Sequence, residues 1–410
     1  MNRRPSHPAV NSAGPPAAGT PSIIDDNAAL ADFCRRIAGA PFVTVDTEFM
    51  RERTYWPILC VVQVAGGGMD DDPRAAAAID TQAPGLDLAP LFAILRDPGV
   101  LKVFHAARQD MEIFYYLMKA LPAPVFDTQV AAMVCGFGDQ ASYENLVGTL
   151  AHARIDKSSR FTDWSARPLS ERQIAYALDD VIHLRRVYEE LRRRLDANGR
   201  AAWLTEEMAV LTAESTYDTD PARAWVRLKT RGNGRFLAVL REIAAWRERE
   251  AQRRDIPRGR IVRDEALIEI AHHRPTSADA LARTRGLGAK LAEGAMGTGL
   301  LQAIAAGLAV PDKDCPKLED KPDLPGGICP IADLLKVLLK FKSEDQGVAA
   351  KLLASVSDLE RIAAFGEKAD VPALHGWRRE AFGADALKLI RGEIALAAEG
   401  RRIKLFNPKS

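Results

Sequence analysis

Short apolar runs fill the first half of the chain and stop near its middle. Phe42–Val45, Ile58–Val64, Ala76–Ile79 and Leu101–Phe104 are rich in apolar or β-branched residues and are bounded by polar or glycine-bearing stretches. That is the pattern of buried strands. Between and after them apolar residues recur at helical spacing, at Leu88–Leu95, Ala107–Met118 and Gln129–Cys135. Three strands followed by alternating strand and helix predict an α/β domain over residues 22–208, a mixed sheet with helices packed on it. Ser170 and Gln173 have capping-box spacing, and Ile174, Leu178, Val181, Tyr188, Leu191 and Leu195 keep a helical stripe down to Gly199. After about Ala201 strand signals disappear, so the second half is expected to be all-α. A segment rich in proline, glycine and charge, 311–327, is expected to link helical domains at 222–310 and 328–400. Residues 1–21, rich in Pro, Ala, Ser and Gly, are expected to form a disordered tail; they lack the apolar core of a signal peptide.

Composition narrows this picture only locally. Lys and Arg number 56 against 55 Asp and Glu, so net charge says little about partners. No window approaches the ~20 apolar residues that cross a bilayer. Cys34, Cys60, Cys135, Cys315 and Cys329 form no CxxC pair and are odd in number. Reduced thiols in a cytoplasmic protein are expected, with no disulfide or zinc site. The charge is uneven, however. Arg223 to Arg263 carries thirteen Lys or Arg against four Asp or Glu, with Trp225, Phe236 and Trp246 interleaved. Such a segment points to a polyanionic partner, although helix faces kept soluble have the same composition.

The chemistry is carried by acids in apolar surroundings. In Phe42-Val43-Thr44-Val45-Asp46-Thr47-Glu48-Phe49, side chains alternate along the strand, so Asp46 and Glu48 share a face. Two carboxylates there repel each other and lose hydration unless a cation sits between them, and a hard divalent ion prefers oxygen ligands. A strand end reaching solvent is the other explanation of the pair. Asp110 follows a strand directly and shares a helical stripe with Phe114 and Leu117. It is either a site residue or a first-turn carboxylate meeting the helix dipole. Tyr176 and Asp180 are four apart and face the same way, whereas Asp179 points about 100° aside, from ~3.6 residues per turn. Asp180 is therefore the expected functional acid and Asp179 is not.

Taken together, Asp-x-Glu, a separate Asp and Tyr-x-x-x-Asp resemble the DEDD exonuclease superfamily in its tyrosine-containing subtype. Three stretches are similar to the bacterial ribonuclease D family: Val45-Asp46-Thr47-Glu48-Phe49-Met50-Arg51, the Phe104-His105-Ala106 entry to Asp110, and Lys157 to Asp180 through Arg160-Phe161-Thr162-Asp163-Trp164 and Arg167-Pro168-Leu169-Ser170. Phe236–Arg254, Ile256-Pro257-Arg258 and Val262–Leu267, with Asp264 as the expected N-cap and a Gly286-Leu287-Gly288 turn, resemble that family's HRDC domain. Ile331–Leu396 occupies the place of a second, less basic HRDC-like domain that would pack against the nuclease.

The resemblance implies a ribonuclease H-like nuclease domain followed by two helical HRDC-like domains. It implies 3′→5′ release of nucleoside 5′-monophosphates from RNA with a free 3′ end, tRNA precursors foremost, using two divalent ions, Mg2+ or Mn2+, about 3.5–4 Å apart. Asp46 would bridge the ions, Glu48 and Asp180 would help hold the one that activates water, Asp110 would serve the second, and Tyr176 would orient the water. Thr47, Phe49, His105, Lys157, Arg160 and Arg167 are candidate substrate contacts: Phe49 by stacking on a base, the cations by holding phosphates. A monomer is expected. The competing readings are a DNA 3′→5′ exonuclease of the same superfamily and a non-catalytic RNA-binding scaffold.

Overall fold

The computed structural model describes residues 23–69, 72–317 and 324–408. The expected tail at 1–21 and the middle of the 311–327 linker lie outside the described residues.

Six strands form one mixed sheet: β1 (Ile23–Ile24), β2 (Phe42–Met50), β3 (Ile58–Gly66), β4 (Ala76–Asp80), β5 (Leu101–Phe104) and β6 (Val125–Asp127), in the order β1-β4-β3-β2-β5-β6. β2, β3 and β4 are antiparallel neighbours, while β1 joins β4 and β5 and β6 extend from β2 in parallel. Helices α1 (Asn27–Ile37), α2 (Ala89–Arg96) and α3 (Arg108–Met118) cover one face, packing on Val43, Val45, Val62, Val64 and Ile79. Two short helices, α4 (Thr128–Val134) and α5 (Tyr143–Leu146), lead to the 28-residue α6 (Glu171–Asn198), which crosses the opposite face. With both faces covered, the central strands bury most of their side chains and are largely apolar, with Asp46, Glu48 and Gln63 set among them. The capping box of Ser170 and Gln173 starts α6, and Gly199, left-handed at φ 69°, ends it.

The strand pairing leaves room for a site. β5 pairs with β2 only along Phe42–Thr44, so from Asp46 onward that edge of β2 has no strand beside it. A register shift between Glu48 and Phe49 then bends the strand end.

Beyond α7 (Ala201–Leu211), a 3-10 stretch at Pro221–Leu228 leads into α8 (Gly234–Arg254) and further helices ending with Ala295–Ala309. Their core, built on Phe236, Leu240, Ile243, Ile270 and Leu300, also takes in Tyr55 from the loop after β2. The last helices, including Cys329–Gln346 and Val356–Phe365, share one apolar cluster with α6 and β6 of the sheet-bearing half, and Trp377 stacks on Trp203 at 4.2 Å.

Three local expectations need correction. The chain does not stay all-α: Ala395–Glu399 and Arg402–Phe406 form an antiparallel hairpin. Its alanine-rich first strand carries helix propensity, but Gly400 (φ 63°) closes a tight turn and the pairing overrides it. Asp264 is the first residue of its helix, not the cap, and its carboxylate accepts from Arg247 at 2.6 Å. Leu117 is 40% exposed, so the apolar stripe with Asp110 rests on Phe114, Met111 and Met118.

Candidate active site

Thr44, Asp46 and Glu48 point from β2 toward α6, and the Thr44 hydroxyl donates to the carbonyl of Val181 at 2.8 Å. That contact sets α6 against the strand beside Asp180. Carboxylate oxygens of Asp46, Glu48 and Asp180 consequently lie within 4.8 Å of one another. Asp110, in the first turn of α3, accepts from the hydroxyl of Thr47, whose side chain leaves the other face of β2; it lies outside the 4.8 Å group but near enough for the Asp46 charge to oppose its ionisation. The turn before α3 is fixed by Asp127. Its two carboxylate oxygens accept from the backbone of Ala106 (3.0 Å) and Ala107 (2.8 Å), holding Ala106 in a left-handed conformation, φ 58°.

Of these acids Asp46 and Asp180 line a 410 Å³ pocket, together with Tyr176, His105, Lys157 and Arg160. Tyr176 shares a hydrogen bond with Asp180 one turn along α6. The His105 Nδ1 lies 3.0 Å from the hydroxyl of Thr128, which donates to the carbonyl of Phe104; Nδ1 therefore carries the proton. Burial holds this imidazole below its usual range, hence neutral. Lys157 is paired with Glu144 at the rim. Arg160 draws the carboxyls of Glu48 and Asp180 toward the ionised form.

Two candidates fall elsewhere. Phe49 is partly buried against the core on the α3 side, not at the pocket. Arg167 directs all five N–H donors into the protein: two to Asp80 (2.7 and 2.6 Å) and the rest to the carbonyls of Cys60, Trp164 and Ala166. No donor is left for a phosphate. Conversely, Tyr143 joins the site although no motif marks it. It lines the pocket and its hydroxyl donates to the carbonyls of Asp180 (2.7 Å) and Asp179 (3.1 Å). Asp179 itself turns toward His183 and stays out of the acidic group, as its helical phase requires.

The electrostatics show what this donor set lacks. Burial pushes the Asp46 carboxyl up to about 6. Burial and then Asp46 push Asp180 to about 8. Burial, then Asp46, Asp180 and Asp110, push Glu48 to about 10, and burial with Asp46 holds Asp110 well above the carboxylate range. Without a positive centre these acids cannot all ionise. Gln63, directly opposite Asp46 across β2 and β3, is fully buried with neither amide atom bonded within the protein. An all-oxygen set of crowded carboxylates, open to a pocket on one side, fits a hard divalent cation.

A pH signature follows. Raised folded-state values mean that the folded site binds protons the unfolded chain has released, so their stabilisation is complete below about pH 4. It is lost as pH rises through about 6 for Asp46, then about 8 for Asp180 and about 10 for Glu48. The melting temperature of chelator-treated protein is expected to fall between about pH 5.5 and about pH 8.5, and the rise on adding Mn2+ to grow over that range, because fewer protons are displaced. Calorimetry showing a Mn2+ effect that shrinks with pH would contradict this.

The fold and the acidic cluster define a metal-dependent 3′→5′ exonuclease. Residues 21–196 match the 3′-5′ exonuclease family and residues 236–304 the HRDC domain. The chain is 54% identical to ribonuclease D of Granulibacter bethesdensis over 94% of its length and 97% of that protein, and 53% identical to ribonuclease D of Acidiphilium cryptum over 96% and 98%. The crystal structure of Escherichia coli RNase D, an exoribonuclease involved in structured RNA processing, superposes with a TM-score of 0.75 at 30% identity, covering 90% of this chain and 98% of that one. The chain belongs to the ribonuclease D family; it is a 3′→5′ exoribonuclease that acts on RNA and uses divalent metal.

Proposed function

We propose that this enzyme trims the 3′ ends of structured RNA precursors, tRNA precursors foremost, one nucleotide at a time, with two bound divalent ions, Mg2+ or Mn2+, releasing nucleoside 5′-monophosphates. The observation that carries the reading is the gathering of Asp46, Glu48 and Asp180 within 4.8 Å at a pocket. In this reading Asp46, Glu48 and Asp180 would hold one ion, and Asp110 would serve the other. Bound there, the ions supply a water of lowered pKa and neutralise charge on the phosphodiester.

The chain's own residues do the positioning. Burial and then the neighbouring acids hold the Tyr176 phenol far above its usual range, so it keeps its proton and orients the attacking water without taking a proton from it. Tyr143 fixes the backbone at Asp180. Arg160 meets the incoming phosphate, and its guanidinium lies 5.1 Å over the ring of Phe161, which is 91% exposed and offers a surface for a base. Neutral His105, with its Nδ1 proton given to Thr128, presents Nε2 as an acceptor for a sugar hydroxyl. The preference for tRNA rests on the family resemblance, and that for structured RNA also on the part the E. coli enzyme plays in structured RNA processing. A cytoplasmic, monomeric enzyme is part of the proposal; the five cysteines are free, as a reducing compartment would leave them.

Matched single-stranded RNA and DNA, and a tRNA precursor with a 3′ extension, test the proposal. Faster shortening of the RNA from its 3′ end, with nucleoside 5′-monophosphates as products and arrest near the mature tRNA end, is expected. Preference for DNA, or oligonucleotide products, would contradict it.

A further inference from the structure

A second basic feature lies away from the pocket, between the nuclease half and the first helical domain. One cleft of 370 Å³ is lined from the nuclease side by Arg51 and Arg108 and from the helical side by Arg223, Arg227 and Arg258. An adjoining cleft of 380 Å³ shares Arg227 and Arg258 and adds Arg263. The two form one trough in which these arginines outnumber the lining carboxylates of Glu112, Asp218, Asp264 and Glu265.

Their partners separate structural from available charge. Arg51 is closed on Glu112 by two hydrogen bonds of 2.7 and 2.6 Å, and Arg258 is bound to the buried Glu248. The others are spare. Arg108 and Arg263 are exposed, and neither guanidinium forms a hydrogen bond or ion pair among the described residues. Arg223 meets Asp218 only at 4.0 Å, and Arg227 meets Glu248, already satisfied by Arg258 and Tyr55, only at 3.8 Å. Four arginines with weak or no counter-ions, set along a groove, make an electrostatic track for a chain of phosphates. The near end of the trough, Arg108, follows by three residues the His105 that lines the active pocket.

We infer that this trough binds the backbone of single-stranded RNA upstream of the 3′ end being removed, with Arg108, Arg223, Arg227 and Arg263 contacting phosphates. The inference rests on RNA being the substrate. It divides the work: the pocket holds the terminal nucleotides, and the trough adds affinity that depends on length and salt but not on sequence. A dinucleotide is too short to occupy both.

The test uses the full-length chain. Binding of a fluorescent 16-nucleotide oligo(A) RNA is followed by anisotropy in an Asp46→Asn background at several salt concentrations, with and without Arg223→Glu and Arg263→Glu. Both side chains are exposed, and an unchanged melting temperature shows that folding is intact. Tenfold or greater weakening is expected, with the salt slope reduced by about 0.7 for every phosphate no longer neutralised. In the Asp46 enzyme the same charge reversals should raise KM for the long RNA while leaving dinucleotide hydrolysis within twofold. Unchanged long-RNA affinity and salt slope would overturn the inference, as would equal loss on both substrates, which would place these arginines in the pocket's own function. Failure of the unaltered chain to bind RNA would instead refute the substrate class.

Discussion

Asp46→Asn is expected to lower RNA hydrolysis by more than about 10²-fold, since disturbing groups that merely support metal ligands already costs 10–100-fold. Asp46 sits at the centre of the acidic group: it shares the 4.8 Å cluster with Glu48 and Asp180, and its charge is a principal reason why Asp110 and Asp180 resist ionisation. The amide has nearly the same shape but no charge, so packing on β2 is preserved while the cation loses its central ligand. RNA affinity is expected to stay within about threefold at fixed salt, because most of it comes from phosphate contacts outside the pocket. Single-turnover cleavage and anisotropy on one preparation separate the two effects. Undiminished cleavage would remove the metal site as the source of activity and favour a scaffold with contaminating nuclease.

Glu248→Ala is expected to destabilise the protein by about 3–5 kcal/mol, the usual consequence of stripping one partner from a buried ion pair. Glu248 is fully buried in α8, where it receives the Arg258 guanidinium at 2.6 Å and the Tyr55 hydroxyl. Tyr55 belongs to the loop between β2 and β3, and its neighbour Trp56 stacks on Tyr116 of α3 at 4.2 Å. Asp255 adds two more ties, accepting from the backbone of Tyr55 and Trp56 at 3.0 Å each. Without Glu248 the buried Tyr55 phenol loses its acceptor, and the Arg258 guanidinium, 31% exposed at the clefts, loses its fixed partner. Denaturant unfolding should show the lowered midpoint, and limited proteolysis should show cleavage near the 3-10 stretch at Pro221–Leu228. A midpoint shift worth less than about 1 kcal/mol would mean that the pair lies in effectively aqueous surroundings.

The site is legible in the sequence where local geometry alone decides direction. Parity along a strand puts Asp46 and Glu48 on one face, and helical phase separates Asp180 from Asp179. For Asp110 the sequence leaves a site residue and a first-turn carboxylate equally open, and its burial is visible only in the fold. What the sequence hides depends on contacts between distant segments. Lys157, Arg160 and Arg167 look alike as cations before the last motif, yet only Arg167 meets a buried carboxylate, Asp80, 87 positions away. Phe49 has the chemistry to stack on a base, but it lies on the face of β2 opposite Glu48, with Val43 and Val45 against the core. Tyr143 and Asp127 act through backbone groups of other segments, and nothing in their own spacing marks that. For the fold, β1 and β6 are two and three residues long, too short to show a period, and the hairpin at 395–406 runs against its own alanine content.

Crystals of the full chain soaked in Mn2+ and measured at the manganese absorption edge test the central claim most directly. Anomalous peaks are expected within coordination distance of Asp46, Glu48 and Asp180, with a second beside Asp110. A well-ordered pocket without such peaks, or manganese bound only on a remote surface, would contradict the account.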